Sequence, residues 1–299
     1  MKKKLLTFMV VVVLVFALSG CSSKNYDLPI ASSGQGFFTF ILVRPIGYIM
    51  NFFCTHMGGY FAVGIVFTTL IVRTIAWPVY SKTNDMSLKM QLAQPELNRI
   101  QQKYVTRKDP MSQQKMQMEM LAVWKKYKIN PFGCLIAPLI QMPLFMAMYQ
   151  VVKRFPIYEN GDVKTMFTTD MKQSLFGIIE LDRGINFSNL GSISEWAYLI
   201  LPALVGITML IQQIIAQKKP SYAKKIPTPA VNDQAQQTEK MMKVMMYVMI
   251  VSMVAMSLSN GALALYWVVG NTYSLLQSII NRKMNEIKFE KLKQQSSII

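Results

Sequence analysis

Five stretches of this chain, 60–80, 131–152, 196–215, 241–258 and 262–280, are apolar and contain neither Asp nor Glu. Each has roughly 18 to 22 residues, enough at about 1.5 Å per residue for a helix to cross a hydrocarbon core of about 30 Å. Inside lipid every backbone N–H and C=O has to bond within its own segment or a closed barrel, so runs of this length are read as helices. With 52% hydrophobic and 16% charged residues the chain is too apolar for a soluble domain of 299 residues. The expectation is an all-α integral membrane protein.

The charges between the spans set an orientation. Ten Lys/Arg lie in 81–130, five lysines in 216–240 and five Lys/Arg after Asn281, whereas 153–195 holds five bases against six acids. Basic loops stay on the cytoplasmic side. Segments 81–130 and 216–240 and the tail after Asn281 are therefore expected inside, and 153–195 outside. Over the whole chain 32 Lys/Arg face 15 Asp/Glu, which favours anionic partners such as phospholipid, RNA or acidic protein segments.

The N-terminus gives an independent check. Lys2-Lys3-Lys4 precede an apolar run that ends in Leu18-Ser19-Gly20-Cys21. A basic region, a short apolar region and small residues before the cut make 1–20 a signal peptide, too short to span. Cys21 directly after Leu-Ser-Gly resembles a bacterial lipobox. That resemblance implies a diacylglycerol and an N-acyl chain on Cys21, which would anchor the mature N-terminus outside. Within 21–59 the apolar segment 37–53 is broken by Arg44-Pro45 and Gly47. It reads as an interfacial helix, since a sixth span would reverse every later orientation.

The polar segment 81–130 carries two helical patterns. Met86, Met90, Ala93, Leu97, Ile100 and Tyr104 recur in steps of four and three, as do Met116, Met120, Val123 and Tyr127. Asp109-Pro110 reads as an N-cap with proline in the first turn, and Asn130-Pro131 as a stop. An antiparallel cytoplasmic hairpin with a kink at Pro95 is expected, either packing only on itself or recruiting a partner.

Arg73 is the residue that the spans least explain. A mid-membrane arginine costs a few kcal/mol and normally meets a carboxylate, yet the five spans contain none. Water, backbone carbonyls, lipid headgroups or an acid on another molecule remain as partners, or the side chain snorkels to an interface at Trp77 and Tyr80. Uncharged polar residues at helical spacing accompany it: Thr69 one turn before it, Gln141 between Pro138 and Pro143, Thr208 with Gln212, and a stripe of Asn271, Ser274, Ser278 and Asn281. Facing one another they would form a wet groove, and packed tightly they would be interhelical hydrogen-bond partners. Methionine, present 24 times and dense in 241–256, suits either a lipid face or a surface that accepts varied apolar partners. Three cysteines and one histidine build no metal cluster or disulfide framework, and no hydrolase, metalloprotease or P-loop motif occurs.

These motifs resemble a known family. Gly64-Ile65-Val66 through Val72-Arg73-Thr74 and Pro78, Pro138-Leu139-Ile140-Gln141-Met142-Pro143, Leu201-Pro202 with Gly206-Ile207-Thr208-Met209, and Leu265-Tyr266-Trp267-Val268-Val269 with Asn271 resemble the YidC membrane insertases, relatives of mitochondrial Oxa and chloroplast Alb proteins. The lipobox and the absence of a large segment before the first span resemble the Gram-positive, lipoprotein form. The resemblance implies five spans around a hydrophilic groove open to the cytoplasm, with Arg73 attracting acidic tails of substrates. Thr69, Gln141, Thr208, Gln212, Trp267, Asn271 and Ser274 are the further groove or wall positions, and the third and fifth spans form the slide toward lipid. It implies no enzyme, no cofactor beyond the lipid on Cys21, and a monomer whose partners are nascent membrane proteins and membrane lipid. No specific nucleic acid is expected. The Sec translocon and the ribosome remain open as partners, the ribosome less so because the basic tail 281–299 is short. A small anion transporter or an assembly subunit without insertion activity is the alternative reading.

Overall fold

The computed structural model describes residues 30, 36–107, 109–130, 136–154, 172–189, 191–217 and 233–296. Eight α-helices occur among them: α1 (Arg44–His56), α2 (Phe61–Lys103), α3 (Pro110–Lys126), α4 (Ile136–Arg154), α5 (Ile193–Ala197), α6 (Ile200–Gln217), α7 (Asp233–Ser257) and α8 (Gly261–Ser296). Two short strands, β1 (Ser174–Leu175) and β2 (Ile179–Glu180), pair antiparallel with Leu175 opposite Ile179. Among the described residues two helical segments are long and apolar enough to cross a membrane, Phe61–Ser81 and Ser194–Ile215, and Lys243–Ser257 is a shorter apolar helix. The expected span 131–152 begins outside the described residues, and α8 carries Asn271, Ser274, Gln277 and Ser278 within 262–280, which lower its hydropathy. The signal peptide, Cys21 and most of 216–232 also lie outside the described residues.

The chain divides into two compact units, and α2, α6, α7 and α8 each contribute to both. In the first unit α1 is preceded by a π-helical turn, Thr39–Val43, in which the Arg44 N–H bonds the Thr39 carbonyl. The wider turn comes directly before Pro45, which has no N–H to give to an α-helical ladder, so Pro45 stands in the first turn of α1 instead of breaking it. Ile46, Met50 and Cys54 are buried, while Phe37, Phe40 and Phe52 on the same stretch are exposed. Gly64 of α2 lies directly against Cys54 and the Met50 backbone, a crossing that a Cβ would obstruct. Phe53 stacks on Phe67 at 4.9 Å.

A second seam in this unit fixes the start of α8. Ala262 N–H donates to the Leu181 carbonyl at 2.8 Å, Gly261 N–H to Arg183 at 3.0 Å, and Ile185 N–H to Leu258 at 3.0 Å. Asn260 caps α8, its Oδ1 accepting from Leu263 N–H at 2.9 Å while its Nδ2 donates to the Asp182 carbonyl at 3.1 Å. Arg183 bonds Glu180 at 2.8 Å and the buried Glu195 at 3.1 Å. Its guanidinium also lies 4.1 Å from the Tyr198 ring centroid.

The second unit contains the hairpin. Its first arm is not a separate helix: α2 runs through Pro78 and Pro95 without interruption to Lys103. Asp109 caps α3 by accepting from Ser112 N–H at 2.8 Å, with Pro110 in the first turn. That backbone bond holds the Asp109 carboxyl below its ordinary range. The end of α3 precedes Asn130-Pro131. Lys128 takes a left-handed backbone, φ 52°. Ile129 N–H bonds the Trp124 carbonyl at 2.8 Å and Lys128 N–H bonds Lys125 at 3.1 Å, a Schellman ending with lysine where glycine is usual. Ala93, Leu97, Val123 and Ile129 form the buried seam, flanked by Met86, Met90, Ile100, Met120, Trp124 and Tyr127.

Two matching clasps set the hairpin register. Glu96 accepts from Lys126 at 2.6 Å and from the Tyr127 hydroxyl at 2.8 Å. Glu119 accepts from Lys103 at 2.7 Å and from the Tyr104 hydroxyl at 2.8 Å. These bonds hold both carboxyls below their ordinary range. Exposed pairs of this kind add little stability, but two Lys-Tyr pairs gripping one glutamate each exclude a slip of one helical turn.

Candidate functional site

The site is built where α2, α4, α6 and α8 contribute polar groups to the first unit. Arg73 is half-buried on α2, and its Nη1 donates to Oε1 of Gln141 on α4 at 3.0 Å. Gly270 on α8 leaves the room it needs, since a Cβ there would stand 2.9 Å from Nη2 and 3.6 Å from Cζ. None of the ion pairs among the described residues includes Arg73. The partner is thus a neutral amide, which holds the guanidinium without cancelling its charge. At the next residue, the Thr74 hydroxyl lies 3.0 Å from the Tyr273 hydroxyl of α8.

The remaining expected positions divide. Asn271 is half-buried and its Nδ2 reaches Thr208 Oγ1 at 3.4 Å, while the Thr208 hydroxyl donates to the Leu204 carbonyl at 2.7 Å. Thr69 shares the Arg73 face of α2 but is 1% exposed, and its hydroxyl donates to the Ile65 carbonyl at 2.6 Å. Trp267 is likewise buried, stacked on Phe145 at 5.8 Å with an interplanar angle of 15°. Thr69 and Trp267 are therefore packed among other side chains and not exposed on a surface. Gln212 and Ser274 are half-buried in the second unit. Gly270, Tyr273 and Phe145 escaped the sequence reading. Of these only Gly270 leaves a signal, a glycine in the middle of an apolar helical run where its propensity is poor.

An arginine held by an amide among apolar helices can attract and orient an anionic group, and among the described residues no acid-base pair or nucleophile accompanies it. Among the described residues no cluster of His, Cys, Asp and Glu could hold a metal ion.

Comparison with known proteins places the chain. The model of the 60Kd inner membrane protein family matches residues 52–288. The protein named membrane protein insertase YidC from Alkalihalophilus pseudofirmus is 29% identical over 97% of this chain and 98% of its own length. Membrane protein insertase YidC 2 from Bacillus anthracis is 30% identical over 97% of this chain and 98% of its own. Membrane protein insertase YidC from Oceanobacillus iheyensis is 30% identical over 95% and 98%. With a family model covering most of the chain and relatives matched end to end, the chain belongs to the 60Kd inner membrane protein family, the YidC/Oxa family that its motifs resemble.

Proposed function

We infer that this chain is a membrane protein insertase of a bacterial plasma membrane. Arg73 is the observation that carries the mechanism: a guanidinium on a helix long enough to span, hydrogen-bonded to Gln141 and paired with no carboxylate among the described residues. Five spans surround a hydrophilic groove open to the cytoplasm, and Arg73 attracts the acidic, translocated tail of a nascent membrane protein. Gln141 orients the guanidinium, and Thr208, Gln212, Asn271 and Ser274 supply neutral polar groups along the path. The slide of 196–215 and 262–280 releases the substrate helix into lipid.

No ATP is needed. A substrate helix gains several kcal/mol on leaving water, and one negative charge moving outward gains about 2.3 kcal/mol per 100 mV of potential. The chain is not an enzyme in this reading, needs no cofactor and works as a monomer, with the Sec translocon and ribosome as further partners. Segment 81–130 and the tail 281–299 are cytoplasmic, and α1 with the stretch 37–43 before it lies on the outer face, Phe37, Phe40 and Phe52 toward lipid.

Two experiments test this. The protein reconstituted alone in liposomes is expected to give protease-protected insertion of a single-span substrate; anion uptake without insertion would establish the transporter instead, and neither activity a non-inserting subunit. For the anchor, Cys21→Ser is expected to yield a precursor heavier by the signal peptide and unlabelled by radioactive palmitate. Normal processing of that variant would exclude Cys21 as the acylated residue.

A further inference from the structure

A cavity of about 640 Å³ opens in the first unit beside the start of α2. That is within the range of roughly 300–1,000 Å³ typical of ligand sites. Its walls are apolar, chiefly Val63, Val66 and Phe67 of α2, Leu265 of α8 and Leu175 of β1. Lys172 and Tyr60 stand at the rim, the ammonium 3.4 Å from the Tyr60 hydroxyl and 4.6 Å from the ring centroid. Lys172 is exposed and forms no ion pair among the described residues, so two of its three N–H donors remain for an anion.

The lip of this cavity is unusual for a surface turn. Phe176 and Gly177 both take left-handed backbone, φ 54° and 72°, between β1 and β2. Such turns favour Asn-Gly or Asp-Gly, and a bulky residue at positive φ is strained. Phe176 is nevertheless 90% exposed there, and Ile178 beside it 61% exposed. Turn chemistry and water both disfavour this pair, whereas an apolar environment next to the lip favours it. The same end of α2 begins a membrane-long apolar segment with an aromatic, Tyr60, at its boundary.

We propose that this cavity binds one anionic phospholipid, with an acyl chain along Val66 and Phe67 and the phosphate on Lys172, and that Phe176 and Ile178 dip into the surrounding lipid. A neutral acyl chain alone, including the one expected on Cys21, would leave Lys172 without a counter-charge. The charge at the rim selects the phospholipid.

The test uses full-length protein in nanodiscs of equal phosphatidylglycerol and phosphatidylethanolamine, extracted gently so that retained lipid is counted by native mass spectrometry. The wild type is expected to carry one phosphatidylglycerol. In Lys172→Gln the preference for phosphatidylglycerol over phosphatidylethanolamine should fall about fivefold, the ~1 kcal/mol that one surface lysine contributes toward an anionic lipid. Val66→Trp, or Leu175→Trp if the first does not fold, should remove the retained lipid by filling the cavity. Unchanged lipid preference in Lys172→Gln, or undiminished retention in the tryptophan variants, overturns the proposal. So does phosphatidylglycerol that binds only to Cys21→Ser protein, because the chain's own acyl group would then be the occupant. Insertion activity measured on the same samples reports on the proposed function separately.

Discussion

Gly184→Ala is expected to destabilise the protein by on the order of 3 kcal/mol, the upper end of the usual cost of overpacking. A Cβ at Gly184 would fall well inside van der Waals contact distance of the Leu258 carbonyl oxygen and 2.5 Å from the carbonyl carbon of Ser259. Both neighbours are backbone, so no side chain can swing aside. Relief requires pulling 181–186 away from the turn that begins α8, at the expense of the bonds from Ile185 to Leu258 and from Gly261 to Arg183. The helix whose start moves is the one that carries Gly270 and Asn271 about 13 Å further along. Gly191→Ala is the matched control, since a Cβ there meets nothing within 4 Å. Thermal melts of both variants in one detergent check this. Equal melting temperatures would show that the contact does not hold α8 in place.

Arg73→Ala is expected to reduce insertion of acidic-tailed substrates by about tenfold or more, the ~1.4 kcal/mol scale of a partly desolvated charge pair. The fold should survive, because among the described residues Arg73 bonds the neutral Gln141 and forms no ion pair whose other half would be stranded. Arg73→Lys keeps the charge but loses the planar fork that reaches Gln141, and should retain much of the activity. Gly270→Leu is the steric counterpart. It leaves the arginine in the sequence while pushing the guanidinium from the space between Gln141 and α8. Its phenotype should resemble Arg73→Ala for the same substrates, measured as protease-protected product in cells depleted of the native protein.

What could be read from the residues alone depended on range. The hairpin seam was legible because Met86, Met90, Ala93, Leu97 and Ile100 follow helical spacing on one arm and Met120, Val123 and Tyr127 on the other, and these residues meet in the buried cluster. The Asp109-Pro110 start was legible for the same reason, being a local hydrogen-bonding rule. Its end was not, because the Schellman ending at Lys128 uses a residue that carries no left-handed signal. The continuity of α2 through Pro78 and Pro95 was hidden as well. Proline removes one ladder bond, and packing rather than propensity decides whether a helix survives that loss.

At the site, polarity in an apolar context singled out Arg73 and Gln141, but their pairing spans 68 positions and no periodicity connects them. Thr69 shows how little a shared helix face says about exposure: a hydroxyl on the Arg73 face can bond its own backbone four residues back and be buried. The clasps of Glu96 and Glu119 went unread because each joins residues from two helices.

The central claim is that Arg73 presents an uncancelled positive charge to the carboxylates of an inserting chain. Two single-span substrates, identical except for Asp/Glu or Asn/Gln in the translocated tail, provide the most direct measurement when each is scored for insertion with wild type, Arg73→Lys and Arg73→Ala in depleted cells. Arg73→Ala is expected to lose the acidic-tailed substrate far more than the neutral one, and Arg73→Lys to retain much of the activity toward both. Equal loss for both tails, or full activity of Arg73→Ala, would contradict it.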